Sequence, residues 1–315
     1  MTRSIIRVLT FAFTLSIVCV CSAEEPGRRY LNEIFTDFVR TPDLVYAEAF
    51  NNSSGQREKL RLRVFEPKSD AATKRALMIL TPGGGFVVHD DHWMDDFAAQ
   101  LARSGYVVAL NRYRLSKEIT SAESYSDALF KAFSDQKAAI RYFIKDAQGP
   151  NRFRIDPHNI FIGGHSAGAI TSMHVAYLDP SDEMEARLAA GMKAHGGIDG
   201  ENSDSKLTFA IRGVVNLSGL VTDLNMIDKG EPPLLSIHGD KDTVVAIGSA
   251  PSGVHGSIPI HERAEQIGLV SELHVIRGAL HNDTAEPPRC PECVPLVRRF
   301  MFNLVTQDGV PAARE

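Results

Sequence analysis

The sequence predicts one α/β domain: a mostly parallel, twisted sheet with helices on both faces and an antiparallel N-terminal hairpin. Three observations carry that prediction. Compact apolar runs recur along the chain without the alternation of a half-exposed strand, as expected for strands covered on both faces. Stretches of helical periodicity fall between them, two of them stopped by Gly105 and Gly268. A length of 315 residues, 43% of them apolar and 23% charged, suits a single large globular domain better than two full ones.

Residues 1–23 read as a secretory leader rather than as part of the fold. Arg3 and Arg7 precede an uncharged, apolar run from Val8 to Val20, and Cys21-Ser22-Ala23 puts small residues before Glu24. The run is too short to span a bilayer. Cleavage after Ala23 is therefore expected, leaving a domain over 24–315, a secreted or periplasmic location and no stable membrane insertion. Lipid attachment at Cys19 or Cys21 is disfavoured because each follows a valine.

Leu44–Phe50 and Leu60–Phe65, joined through the turn residues Asn51 to Gly55, form the hairpin. Strands are then predicted at Ala76–Leu80, Tyr106–Leu110, Ile160–Ile162, Ile211–Leu217, Leu234–Ile237 and Leu273–Ile276. Between them lie helices at Trp93–Ser104, Tyr125–Lys145, Ala167–Leu178, His261–Ile267 and Val294–Val305. Alternation of this kind builds a parallel sheet, and the loops at the carboxyl ends of its strands are where chemistry is expected.

A formal charge of -5 leaves no electrostatic footprint for nucleic acid or anionic lipid. Once the leader is removed, only Cys290 and Cys293 remain of four cysteines, so stability rests on the core with at most one bridge.

The loop after Ile162 fills G-x-S-x-G with Gly164-His165-Ser166-Ala167-Gly168. Placed between a strand and a helix, the glycines allow a tight turn that presents the serine hydroxyl above the sheet, beside the positive end of the helix. A serine needs a base, and His281 follows the last predicted strand. That histidine needs a carboxylate to orient it. The loop His238-Gly239-Asp240-Lys241-Asp242 offers two; Asp242 is preferred, with Asp240 as a turn residue. Donors for a developing oxyanion are expected from the backbone of Gly84 and Gly85, with Gly83 the next candidate, together with Ala167. Phe86 and His165, which flank these loops, are expected to contact substrate; His165, beside the serine, and His238, ending a strand, also read as hydrogen-bonded supports of the site, and Asn111 to Leu115 as an anchor of its scaffold through hydrogen bonds.

These motifs, with Asn111-Arg112-Tyr113-Arg114-Leu115 and His238-Gly239-x-x-Asp242, resemble the α/β-hydrolase superfamily in its secreted carboxylesterase and lipase-like branch, in the order Ser166, Asp242, His281. The resemblance covers nearly all of 24–315. It implies a cofactor-free and metal-free ester hydrolase working through an acyl-enzyme on a small-molecule or polymer-linked ester. A histidine usually precedes the three glycines in the hormone-sensitive-lipase-like members; here Pro82 stands there. A peptidase or amidase would use the same residues, and a non-catalytic binding protein of the same fold is a third reading. The motifs are compatible with a short acyl, aryl, feruloyl, polysaccharide acetyl or polyester substrate.

His89 to His92 with Asp95 and Asp96 contains metal-ligand types but reads as a solvated loop entering a helix. Cys290-Pro291-Glu292-Cys293 reads first as a short disulfide, with free thiols or a redox pair as alternatives. The stretch from Pro180 to Leu207 is long for a simple connection and is expected to cover part of the acyl or alcohol pocket.

Overall fold

The computed structural model describes residues 28–89, 93–201 and 206–305, so the predicted leader lies outside them. The strands are β1 (Phe38–Asn51), β2 (Gln56–Pro67), β3 (Arg75–Thr81), β4 (Val107–Asn111), β5 (Ile155–His165), β6 (Gly213–Leu217), β7 (Leu234–Gly239) and β8 (Ser271–Ile276). They form one sheet in the order β1-β2-β4-β3-β5-β6-β7-β8. β2 runs antiparallel to both β1 and β4, and the remaining pairings are parallel.

The helices are α1 (Met94–Arg103), α2 (Ala122–Gln148), α3 (Ala167–Tyr177), α4 (Ala186–Ala194), α5 (Ser257–Ile267) and α6 (Cys293–Val305). α1 and α6 cover one face of the sheet and α2, α3 and α5 the other, giving two cores. The two-residue period of a strand divides β3 between them. Leu77 and Ile79 enter the first core, and Ala76, Met78 and Leu80 the second. Every residue of β3, β4, β6 and β7 is buried, which is why these strands read as unbroken apolar runs. α2 starts with a capping box, in which Ser121 and Ser124 each accept from the other's backbone N–H.

Two features depart from the sequence reading. β5 begins at Ile155, five residues before the predicted start of its apolar run, because Ile155 pairs with Arg75 across an irregularity in the ladder. The stretch from Pro180 to Leu207 contains α4, which presents only Leu188 as a buried residue and so lacks the apolar stripe that announces a helix. α4 lies close against α2: a Cβ at Gly191 would sit 2.2 Å from Ser126 Oγ. Among the described residues no helix is long and apolar enough to cross a membrane.

Candidate active site

The turn between β5 and α3 holds Ser166 at φ 52° and ψ −122°, a left-handed conformation that costs a residue bearing a Cβ. Its surroundings over-determine it. The Ser166 N–H donates to the carbonyl of Leu217 on β6 at 2.9 Å. Gly164 and Gly168 both face the carbonyl oxygen of Thr81 on β3, where an added Cβ would lie 2.2 and 2.0 Å away. Only glycine lets strand, turn and helix approach so closely.

Three side chains from three loops then meet. The Ser166 hydroxyl donates to His281 Nε2 at 2.8 Å, and His281 Nδ1–H donates to Asp242 Oδ2 at 2.7 Å. His281 sits between β8 and α6, and Asp242 follows β7. Oδ1 of Asp242 accepts the N–H groups of Val244 at 2.8 Å and Val245 at 2.9 Å. Burial pushes the Asp242 carboxyl up, but hydrogen bonds from His238, His281, Val245 and Val244 outweigh it and hold the group well below the usual carboxylate range. Asp242 is therefore held as an anion beside His281. Asp240 accepts the Gly278 N–H at 2.6 Å and so ties the β7 loop to the β8 loop.

The glycine loop lies across the same turn. A Cβ on Gly83 would stand 3.1 Å from Ser166 Cβ. The carbonyl of Gly84 accepts from both Val87 and Val88 at 3.1 Å, and Gly84 takes a φ of 112° that favours glycine. Among the described residues the N–H groups of Gly84, Gly85 and Ala167 have no protein acceptor.

Two expectations need correction. Phe86 is 2% exposed, its ring packed against Tyr113 and Tyr125 at 6.0 and 5.8 Å between centroids, so it belongs to the core rather than to a substrate surface. His165 is also buried. Its Nε2–H donates to the backbone carbonyl of His281 at 2.9 Å, and its ring lies 4.8 Å from the His281 ring, with Trp93 edge-on at 6.3 Å. It is buried behind His281 and fixes that residue's backbone instead of lining a substrate surface. Burial, then the charge of His281, lowers the His165 imidazole to about 4, so it stays neutral.

The segment after β4 anchors the surroundings of the site, through partners that residue spacing does not identify. Tyr113 Oη donates to the carbonyl of Pro82 at 3.2 Å, with Gly83 O at 3.4 Å, pinning the glycine loop from beneath. Arg114 is fully buried against Asp135 and also bonds Phe50 O and Glu201. His89 stacks edge-on with Tyr113, and Asp95 pairs with Arg63 and Arg40. Asp90, Asp91 and His92 lie outside the described residues. Among the described residues no three His, Cys, Asp or Glu side chains are grouped to hold a metal ion. Cys290 and Cys293 are bridged and buried at the start of α6.

Sheet order, turn and loops define an α/β hydrolase. The butyrate-bound esterase Est2 of the planctomycete Thermogutta terrifontis superposes with a TM-score of 0.64 at 16% identity, over 85% of this chain and 95% of that one. A truncated carbohydrate esterase from gut microbiota gives 0.63 at 18% identity, over 90% and 99%. T. terrifontis esterase 2 phosphonylated by cyclosarin gives 0.60 at 17%, over 83% and 93%. No curated protein matches the chain. Residues 62–225, a little over half of the sequence, match the BD-FAE family, and the chain belongs to that family of α/β-hydrolase-type esterase domains.

Proposed function

We propose that this protein is an exported serine esterase that cleaves carboxylic esters through an acyl-enzyme. Ser166 attacks the carbonyl carbon, its proton passing to His281 Nε2, and Asp242 stabilises the imidazolium at Nδ1. The tetrahedral oxyanion is bound by the N–H groups of Ala167, Gly84 and Gly85, beside the N-terminus of α3. Collapse breaks the ester bond, and the proton on His281 goes to the leaving alcohol. Water then repeats the sequence on the acyl-serine. The observation that carries this reading is the unbroken hydrogen-bonded line Asp242–His281–Ser166 with the serine at positive φ.

The Pro180–Leu207 stretch supports a role in substrate choice. Glu185, Arg187 and Leu188 line a cavity of about 400 Å³ with Tyr125, Leu220, Thr222 and Val254, residues of α2 and of the loops after β6 and β7. That volume lies within the range of small-molecule sites. Tyr125 Oη has no protein partner there, and its ring touches Phe86 at the end of the glycine loop. We place the acyl or alcohol group of the substrate in this cavity. Short acyl chains come first among substrates, since Est2 binds butyrate. Export rests on the leader at 1–23, and N-terminal sequencing of the exported protein should begin at Glu24.

Hydrolysis of p-nitrophenyl esters from acetate to palmitate tests the reading. Ser166→Ala should lower kcat by about 10⁴-fold or more on every ester turned over. Turnover that survives the substitution refutes it, and turnover of amides alone would favour a peptidase.

A further inference from the structure

The catalytic line does not end at Asp242. His238, fully buried at the end of β7, places Nε2 3.0 Å from the carbonyl oxygen of Val245 and 3.1 Å from Asp242 Oδ2, the same oxygen that accepts from His281. Both atoms facing Nε2 are acceptors, so the proton resides on Nε2 and is shared between them. Nδ1 is then an acceptor, and Ser257 Oγ lies 2.8 Å from it. Asn216 fixes the direction of that contact. Its Oδ1 accepts the Gly219 N–H at 2.9 Å, so Nδ2 points the other way and donates toward Ser257 Oγ at 3.3 Å and Ser236 Oγ at 3.1 Å. Ser257 accepts from Asn216 and gives its own proton to His238. Asn216, Ser236, Ser257 and His238 are buried, so no bulk water competes for these positions.

We infer that His238, held by Ser257 and Asn216, is a positioning residue that shares the charge of Asp242 with His281 and thereby sets the pH at which the base becomes active. This inference rests on the serine-esterase reading above. An N–H donated to Asp242 Oδ2 from behind withdraws part of the negative charge that favours the imidazolium of His281. Without that donor, His281 keeps its proton to higher pH. The other ionisable groups facing the pair do not cancel the effect. His165 is neutral against the His281 ring, Asp240 is engaged with Gly278, and Asp283 accepts from Leu280 and pairs with Arg289.

The test is the acid limb of kcat/KM against pH, measured with p-nitrophenyl butyrate on the whole protein. His238→Met removes the donor at similar length, and His238→Gln keeps an N–H near the Nε2 position. The acid limb of the Met variant should move to higher pH by about 0.5–1 unit, a loss of about three- to tenfold at pH 6 that fades by pH 9, while Gln restores the wild-type limb. Ser257→Ala should move it the same way by less, and carries the test alone if the Met variant does not fold. Variants that lose activity equally at all pH values, with the limb unmoved, overturn the inference and leave His238 a packing residue. Turnover that persists in Ser166→Ala overturns the esterase reading instead, and the role of His238 with it.

Discussion

The turn that carries Ser166 and the loops that carry Asp242 and His281 meet at one point by different means. The turn is a backbone construction: two glycines pressed on the Thr81 carbonyl, a left-handed serine, and an N–H held by Leu217. The side that carries Asp242 and His281 is a side-chain construction. His281 is braced through its carbonyl by His165 and through its ring by Asp242, which is braced in turn by His238. Backbone constructions tolerate no added atom, whereas side-chain constructions lose function by degrees.

Substitutions can break that contrast. After the loss expected for Ser166→Ala, the next largest effect falls on Gly168→Ala, whose Cβ would lie 2.0 Å from Thr81 O. It should cost about 3–5 kcal/mol, read as a large drop in thermal midpoint or loss of soluble protein. Gly278→Ala, with φ at 77° and no heavy atom within 4 Å of the new Cβ, should cost only about 1 kcal/mol. Equal effects at the two positions would refute the close-packing account.

The buried histidines sharpen the other side. His165 and His174 are both lowered to about 4 by burial, whereas in the unfolded chain each titrates near its ordinary value of 6.5. Their folded values are depressed, so the contribution of these two groups to stability is full above about pH 6.5 and is lost as pH falls toward 4. The loss is on the order of a few kcal/mol in all. Across pH 7 to 4 the urea midpoint of His174→Phe should fall less, relative to its value at pH 7, than that of the unsubstituted protein. The smallest effect belongs to Tyr113→Phe, which frees the glycine loop without touching the triad. A fall of about three- to fivefold in kcat with KM little changed is expected, and a change in KM alone would argue against a role for the pinned glycine loop in turnover.

The same contrast explains what could be read from sequence. The strands of the two-faced core and the G-x-S-x-G turn were legible because burial on both faces and close backbone approach each admit few residue types. Ser166, His281 and Asp242 could be nominated because chain order and loop position leave few alternatives. That His165, His238 and the segment around Tyr113 support the site by hydrogen bonds was legible from their places at strand ends, but their partners were not. Each contact joins residues tens of positions or more apart, or depends on which ring nitrogen carries a proton, and neither leaves a spacing in the chain. Phe86 shows the converse: its place after the glycines suggested substrate, yet its ring turns inward to two tyrosines. α4 escaped notice for want of an apolar stripe.

The φ of 52° at Ser166 has a consequence for how this protein ages under mutation. A non-glycine residue in that conformation costs on the order of 1–3 kcal/mol, a sizeable share of a typical domain's net stability. Glycine at 166 would remove that strain together with the hydroxyl. At this position drift toward a sturdier chain runs directly against selection for turnover.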